Sequence, residues 1–384
     1  MNKFFKILFS IFFILLFETS VSYSEETKIK IGVLAPLSGD DASLGKQILN
    51  SIRMALIDIK NNNIEIYPKD TRSDPDVTLR SALEFEKMGI SLVIGPVFHK
   101  NLLFLDEVKN ITFLSLTNKT LDLHKNIISS GINSSSQLNT IKKFLEKSEI
   151  KKTIFLIPNL NYDLEIKKGI KESKIKFFKQ YNYDIDPTKL TKQIEKITNY
   201  GIRKQNLLDE ISRIKNTDDP NKEKIIENLE KKYTLGNVKF DSIVIADFDE
   251  SLKSVITSLL YTDVLPKNKY IITLNQWFDE SLLKEKNLQP IYYPSINKQN
   301  LDAFSDKFFE KFNYKPNYLS LLSYDLIGLI YYLSLKNEAL EISKSFKTQN
   351  TFKGKIGIFK IKDNKINHQL NFYEIKEGKL KEIF

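Results

Sequence analysis

The chain of 384 residues holds no cysteine, which excludes disulfides, thiolate metal sites, a cysteine nucleophile and a lipid anchor on an N-terminal cysteine. Its 58 Lys plus Arg against 48 Asp plus Glu leave a formal charge of +10, and 41% hydrophobic with 28% charged residues is a globular composition rather than a disordered one. The positive surplus is mild and dispersed, which argues against nucleic acid as a partner, and three histidines far apart (His99, His124, His368) argue against a histidine metal site.

The first 24 residues predict a signal peptide. Lys3 and Lys6 precede an apolar run over 7–17, and Ser22 and Ser24 set small residues before a cut that leaves Glu25 first. The run is too short to span a bilayer, which takes about 20 apolar residues. Residues 28–34 then read as a strand. Leu44, Ile48, Ile52, Leu56 and Ile59 recur at helical spacing, and Ile64, Ile66 and Pro68 alternate as a strand. Asp74-Pro75 opens a helix whose apolar face is Val77, Leu79, Leu83, Phe85 and Met88, with Gly89 as its stop. A continuous apolar strand over 91–97, a short helix over 102–108 and a strand over 111–116 complete the series. Strand and helix alternate, so a parallel sheet of βαβ units is expected.

A second series follows. Helices are predicted over 138–145, 164–170, 190–197 and 252–260, and strands over 153–157, 175–178, 240–246 and 270–274. Residues 201–236 interrupt it with two amphipathic helices around Asp218-Asp219-Pro220, an αα-hairpin that reads equally as a solvated ornament or a contact surface. Beyond Pro294, helices are expected over 301–312 and 319–335, the second apolar nearly all round and therefore buried. Runs at 354–359 and 370–375 look like a terminal hairpin or edge strands.

Catalytic motifs are missing. Gly39 to Lys46 departs from a phosphate loop, because five residues separate Gly39 from Gly45 and Gln47 stands where Ser or Thr is needed. The sequence has no G-x-G-x-x-G, G-x-S-x-G or H-E-x-x-H, and no nucleophile–base pair is recognised, so no enzyme and no cofactor are expected. Open α/β sheets bind ligands at the loops beyond the carboxyl ends of their strands. Those loops offer Ser38, His99, Ser115, Thr117, Asn118, Tyr162, Asp247 and Trp277 as cleft residues for a small polar ligand.

Residues 29–39 (IKIGVLAPLSG), Leu44-Gly45, Asp70, 92–96 (LVIGP), Ile157-Pro158, 241–246, 292–294 and Ser323-Tyr324-Asp325 together resemble the type I periplasmic binding proteins of the leucine-binding group. The resemblance implies two doubly wound α/β domains, 28–133 plus 295–350 and 134–294 plus 351–384, joined by three crossover strands and closing on a ligand like a hinge. The insertion over 207–235, ending in Thr234-Leu235-Gly236, is similar to that of exported proteins known as penicillin-binding protein activators. So are Gly95 to Phe98, Leu114 to Asn118, Asn275-Gln276-Trp277 and Gly357-Ile358-Phe359. That subgroup implies a non-catalytic, monomeric periplasmic protein that regulates peptidoglycan synthesis through a penicillin-binding protein. The wider family implies instead a substrate-binding protein serving an ABC permease, for amino acids or a similar small polar solute. The serine-rich turn of the amino-acid receptors is Phe98-His99-Lys100-Asn101 here, and Asp163 follows Tyr162 where a glycine is usual, so a narrowed or blocked amino-acid pocket is expected.

Overall fold

The computed structural model describes residues 28–60, 63–274, 278–336, 342, 344–346, 349–362 and 364–384, so the expected signal peptide and Trp277 lie outside the described residues. Strands β1 (Ile29–Ala35), β2 (Ile64–Asp70), β3 (Leu92–Ile94), β4 (Thr112–Ser115) and β5 (Ile127–Ser129) pair in parallel in the order β2-β1-β3-β4-β5. Helices α1 (Ala42–Ile59) and α2 (Pro75–Lys87) supply crossovers. The second series repeats the order: β6 (Thr153–Pro158), β7 (Lys179–Tyr183), β8 (Ser242–Ile245), β9 (Tyr270–Thr273) and β10 (Ile291–Ser295) run β7-β6-β8-β9-β10, again parallel. Its helices are α3 (Ser134–Lys147), α4 (Asp163–Ser173), α5 (Pro187–Ile197), α6 (Tyr200–Lys215), α7 (Lys222–Glu230), α8 (Asp249–Tyr261) and α9 (Glu280–Lys284). The chain then returns to the first unit with α10 (Lys298–Phe312) and α11 (Tyr318–Ser334). Two doubly wound sheets of one order are the type I periplasmic binding protein architecture.

The last strands divide between the sheets. Strands β11 (Asn350–Lys353), β12 (Ile358–Lys362) and β13 (Lys365–Gln369) extend the first sheet beyond β5, and β14 (Asn371–Lys376) and β15 (Lys379–Glu382) extend the second beyond β10. Residues 350–369 therefore lie in the first sheet, not with the second unit where the resemblance put 351–384. The two runs read as a terminal hairpin or edge strands fall in different sheets, and neither β12 nor β14 is an edge strand. Alternating strands with one wet face carry no mark of which sheet receives them. Two further expectations move. The helix over 102–108 is a pair of 3-10 turns, His99–Leu102 and Leu105–Glu107. The strand placed over 175–178 is β7, whose Lys179, Gln180 and Asn182 are exposed at the sheet edge, while the apolar Ile175 before it fills the core.

Each sheet is covered on both faces. Helices α1, α10 and α11 bury Ile48, Ile52, Phe304, Phe308, Leu326 and Ile330 against one face of the first sheet, and α2 puts Ala82 and Phe85 on the other. Helix α11 has ten buried residues, which is why its sequence is apolar nearly all round. Burying one such Leu or Ile side chain stabilises by about 1.5–3 kcal/mol. Gly45 permits α1 to press on the loop after β1, since a Cβ there would lie 1.8 Å from the Pro36 carbonyl oxygen.

Three connections cross between the units: β5 to α3, β10 to α10 and β13 to β14. They are sewn together. The Asn133 side chain caps α3 through the Ser136 N–H (2.9 Å) and donates to the Ile366 carbonyl (3.0 Å). His368 donates from Nε2 to the Ser130 carbonyl (2.9 Å), and its backbone N–H donates to Ser136 Oγ (2.9 Å). Burial pushes the His368 imidazole down to about 4, against the pull of that carbonyl, so it is neutral at ordinary pH. The Tyr373 hydroxyl donates to the Ile296 carbonyl (3.0 Å) and accepts from the Lys298 N–H (3.0 Å). Among the described residues, no helix is long and apolar enough to cross a membrane.

Candidate functional site

The loops after β3 and β4 of the first unit face those after β6, β8 and β9 of the second across a cleft. Two cavities fill it. One, of about 620 Å³, is bounded mainly by the second unit and lined by Tyr162, Glu165, Asp247, Phe248, Asp249, Phe278 and Asp279. The other, of about 630 Å³, is bounded by the first unit and lined by Phe98, His99, Lys100, Thr117, Gly131 and Leu319. Asn118, Lys119 and Tyr318 line both, so the two are continuous. Volumes of this size suit small-molecule ligands.

Of the expected residues, His99, Thr117, Asn118, Tyr162 and Asp247 line the cleft. Ser38 and Ser115 do not. The Ser38 hydroxyl donates to Asp70 Oδ2, and Asp70 Oδ1 also takes the Leu37 and Arg72 N–H groups, so this serine locks the loop after β1 onto the end of β2. Ser115 is wholly buried and its hydroxyl donates to the Pro96 carbonyl (2.9 Å). Both hydroxyls are consumed in shaping the loops that the ligand would meet.

Asp247 is buried and fully engaged. Its Oδ2 accepts from the Tyr183 hydroxyl (2.6 Å) and from Ser251 Oγ, and its Oδ1 from the Phe248 N–H (2.9 Å) and, at 3.5 Å, from the Tyr162 hydroxyl. Burial, and then the Asp247 charge, raise the pKa of both tyrosines, so both are neutral donors. On the opposite wall, burial and then the Lys119 charge lower the pKa of His99. Thr117 Oγ1 accepts the Lys119 N–H (3.2 Å), which fixes the turn from which the lysine departs.

Several cleft residues carried no signal in the sequence. Glu165 lies on α4, where a carboxylate normally faces water, yet its Oε1 accepts the Thr120 and Leu121 N–H groups (2.7 and 2.6 Å) and its Oε2 the Thr120 hydroxyl (2.9 Å). Tyr318 arrives from the first turn of α11, far away in sequence, and its hydroxyl donates to the Phe278 carbonyl (2.9 Å). Asp279 caps α9 by accepting the Ser281 N–H (2.8 Å). Asp249 opens α8 in a left-handed conformation (φ 52°) and is exposed. Aspartate tolerates this region better than most residues. The cleft thus presents aromatic faces, amides and charges of both signs, the chemistry of ligand recognition.

Comparison with known proteins agrees with this geometry. A family model described as periplasmic binding protein matches residues 28–202. The C-domain of LpoA from Haemophilus influenzae, a regulator of PBP1A, shares the fold with TM-score 0.61 at 14% identity, over 92% of this chain and 100% of that one. An ABC transporter substrate-binding protein from Desulfitobacterium hafniense in complex with Leu gives TM-score 0.60 at 14% identity, over 93% and 100%. An uncharacterized protein of Methanocaldococcus jannaschii is 30% identical over 109 residues, and the match spans 26% of this chain and only 25% of that protein. The likeness therefore reaches both a regulator and a solute receptor. Residues 28–202 are matched by the periplasmic binding protein family, and the chain has the type I, leucine-binding-like fold of that family.

Proposed function

We propose that the chain is an exported, non-catalytic protein of the periplasm that regulates peptidoglycan synthesis by contacting a penicillin-binding protein. The observation that carries this reading is the α6–α7 hairpin. It is a lobe with its own small core of Leu207, Ile214 and Leu229, set into the second unit, and it leaves Ile202, Leu208 and Tyr233 more than half exposed. Exposed large apolar side chains on a projecting lobe suit a protein contact. The fold shared with the whole LpoA C-domain supports the same reading, as does the leader-like pattern of residues 1–24. The test is capture of penicillin-binding proteins marked with a fluorescent penicillin. The tagged chain should retain a marked protein, and Leu208→Ser with Tyr233→Ser should release it. If no marked protein is retained and loss of the chain leaves wall cross-linking unchanged, the reading fails.

The cleft supports a second reading, a substrate-binding protein for an ABC permease. Its preformed volume and mixed lining suit a small polar solute. A thermal-shift screen decides it, since a ligand at 100 times its Kd adds about 2.7 kcal/mol of stability.

A further inference from the structure

We infer that the cleft is built for an elongated zwitterion, a short peptide with free amino and carboxyl termini, rather than for a free amino acid. The charges of the cleft are segregated. The cavity of the first unit carries His99, Lys100 and Lys119 and no carboxylate among its lining residues. The cavity of the second unit carries four carboxylates, with Lys119 the one basic residue lining it, at the junction of the two. Glu165 and Asp247 are occupied on both oxygens by the bonds described above, and Asp279 on Oδ1 by the Ser281 N–H, which leaves Asp249 and Asp279 Oδ2 to receive a cation. Asp249 forms no ion pair among the described residues, and Phe248, Phe278 and Tyr318 line the same cavity. An ammonium placed there meets two carboxylates and aromatic faces, a combination that binds cations in wet sites. Lys100 likewise forms no ion pair among the described residues. With His99 it lines the cavity of the first unit alone and offers a carboxylate the opposite end of the space.

Size then separates the ligands. A free amino acid bears both charges on one carbon and cannot occupy both cavities at once. Three extended residues span roughly 10 Å and carry their charges at the two ends. Tyr318, which lines both cavities, would face the peptide's middle. This inference does not depend on the partner proposed for the hairpin.

Native mass spectrometry of the purified chain tests it with four mixtures at equal concentration: tripeptides with free termini, the same set N-acetylated, the same set C-amidated, and the free amino acids. The free tripeptides should be retained at least tenfold more than either blocked set and more than the amino acids. Asp249→Asn should erase the preference over the acetylated set, and Lys100→Gln the preference over the amidated set. Neither change should lower the melting temperature, because neither side chain is buried. Equal retention of a blocked set, preference for amino acids, or retention of nothing from any mixture overturns the inference.

Discussion

Asp325 projects from the buried helix α11 into a turn of the chain that precedes β12. Its Oδ1 accepts the Lys355 N–H (2.8 Å) and its Oδ2 the Ile356 N–H (2.7 Å), while Gly354 passes so close that a Cβ there would lie 2.3 Å from Oδ2. Burial pushes this carboxyl up to about 6, although both N–H bonds and the Lys355 charge pull the other way. The unfolded value is about 3.9, so the folded chain binds the proton more tightly. The resulting stabilisation is complete below about pH 4 and is lost as pH rises through 6. Asp325→Asn should flatten this dependence. It should also lower stability at neutral pH by about 1–3 kcal/mol, because the amide presents its NH₂ to one of the two N–H groups. Denaturant unfolding at pH 4.5 and 7.5 measures both effects, and equal pH slopes in the two proteins would contradict the assignment.

The α6–α7 hairpin shows how an inserted element is fastened. Its anchor is Arg203, which is buried and donates from Nε to the Thr198 carbonyl (3.0 Å), from Nη1 to Thr234 Oγ1 (3.0 Å) and from Nη2 to the Thr262 carbonyl. Thr234 in turn donates to Asp263 (2.7 Å), and Tyr200 packs on Tyr261 with ring centroids 5.4 Å apart. The planar fork reaches three acceptors at once, which a lysine cannot do. Arg203→Met should therefore cost about 2–4 kcal/mol through unpaired buried carbonyls, and Arg203→Lys should not restore it. Hydrogen exchange should quicken over 200–236 while β1 to β5 keep their protection; exchange rising across the whole chain would refute a local anchor. The amphipathic periods of this hairpin were legible in the sequence because each helix buries one face against the other. So was the double alternation of strand and helix, since buried parallel strands are continuous apolar runs. The division of β11 to β15 between two sheets was not, because partner choice among half-wet strands depends on distant registers. The site was half legible for a related reason. Position beyond strand ends marked His99, Thr117, Asn118, Tyr162 and Asp247, but whether a hydroxyl faces the cleft or is consumed inside its own loop, as in Ser38 and Ser115, is set by backbone geometry. Glu165 and Tyr318 sit in ordinary helical patterns and reach the cleft only because the tertiary fold brings α4 and α11 to it.

At the scale of the molecule, the question is what sets the width of the cleft. Three crossovers, tied through Asn133, His368 and Tyr373, join the two units, and one face of α4 adds a brace between them. Glu165, Lys168 and Glu172 are spaced by three and four residues, so they share that face. All three reach the first unit: Glu165 takes the Thr120 and Leu121 N–H groups, Lys168 donates to the Thr120 carbonyl (2.6 Å), and Glu172 pairs with Lys365 of β13 (2.5 Å). Hydrogen bonds to a charged group contribute about 1.5–3 kcal/mol each, and α4 itself belongs to the second unit. The brace thus acts between the units rather than within either one. Glu165→Ala with Lys168→Ala should shift the population toward a wider cleft rather than unfold either sheet, since a change of about 2.8 kcal/mol in a two-state balance moves the ratio roughly a hundredfold. The expected result in small-angle scattering is a larger radius of gyration without ligand, with far-ultraviolet circular dichroism unchanged. Ligand affinity should fall in step, because closing the cleft then draws on binding energy. An unaltered radius of gyration, or a loss of secondary structure, would show that α4 serves folding and not the opening of the cleft.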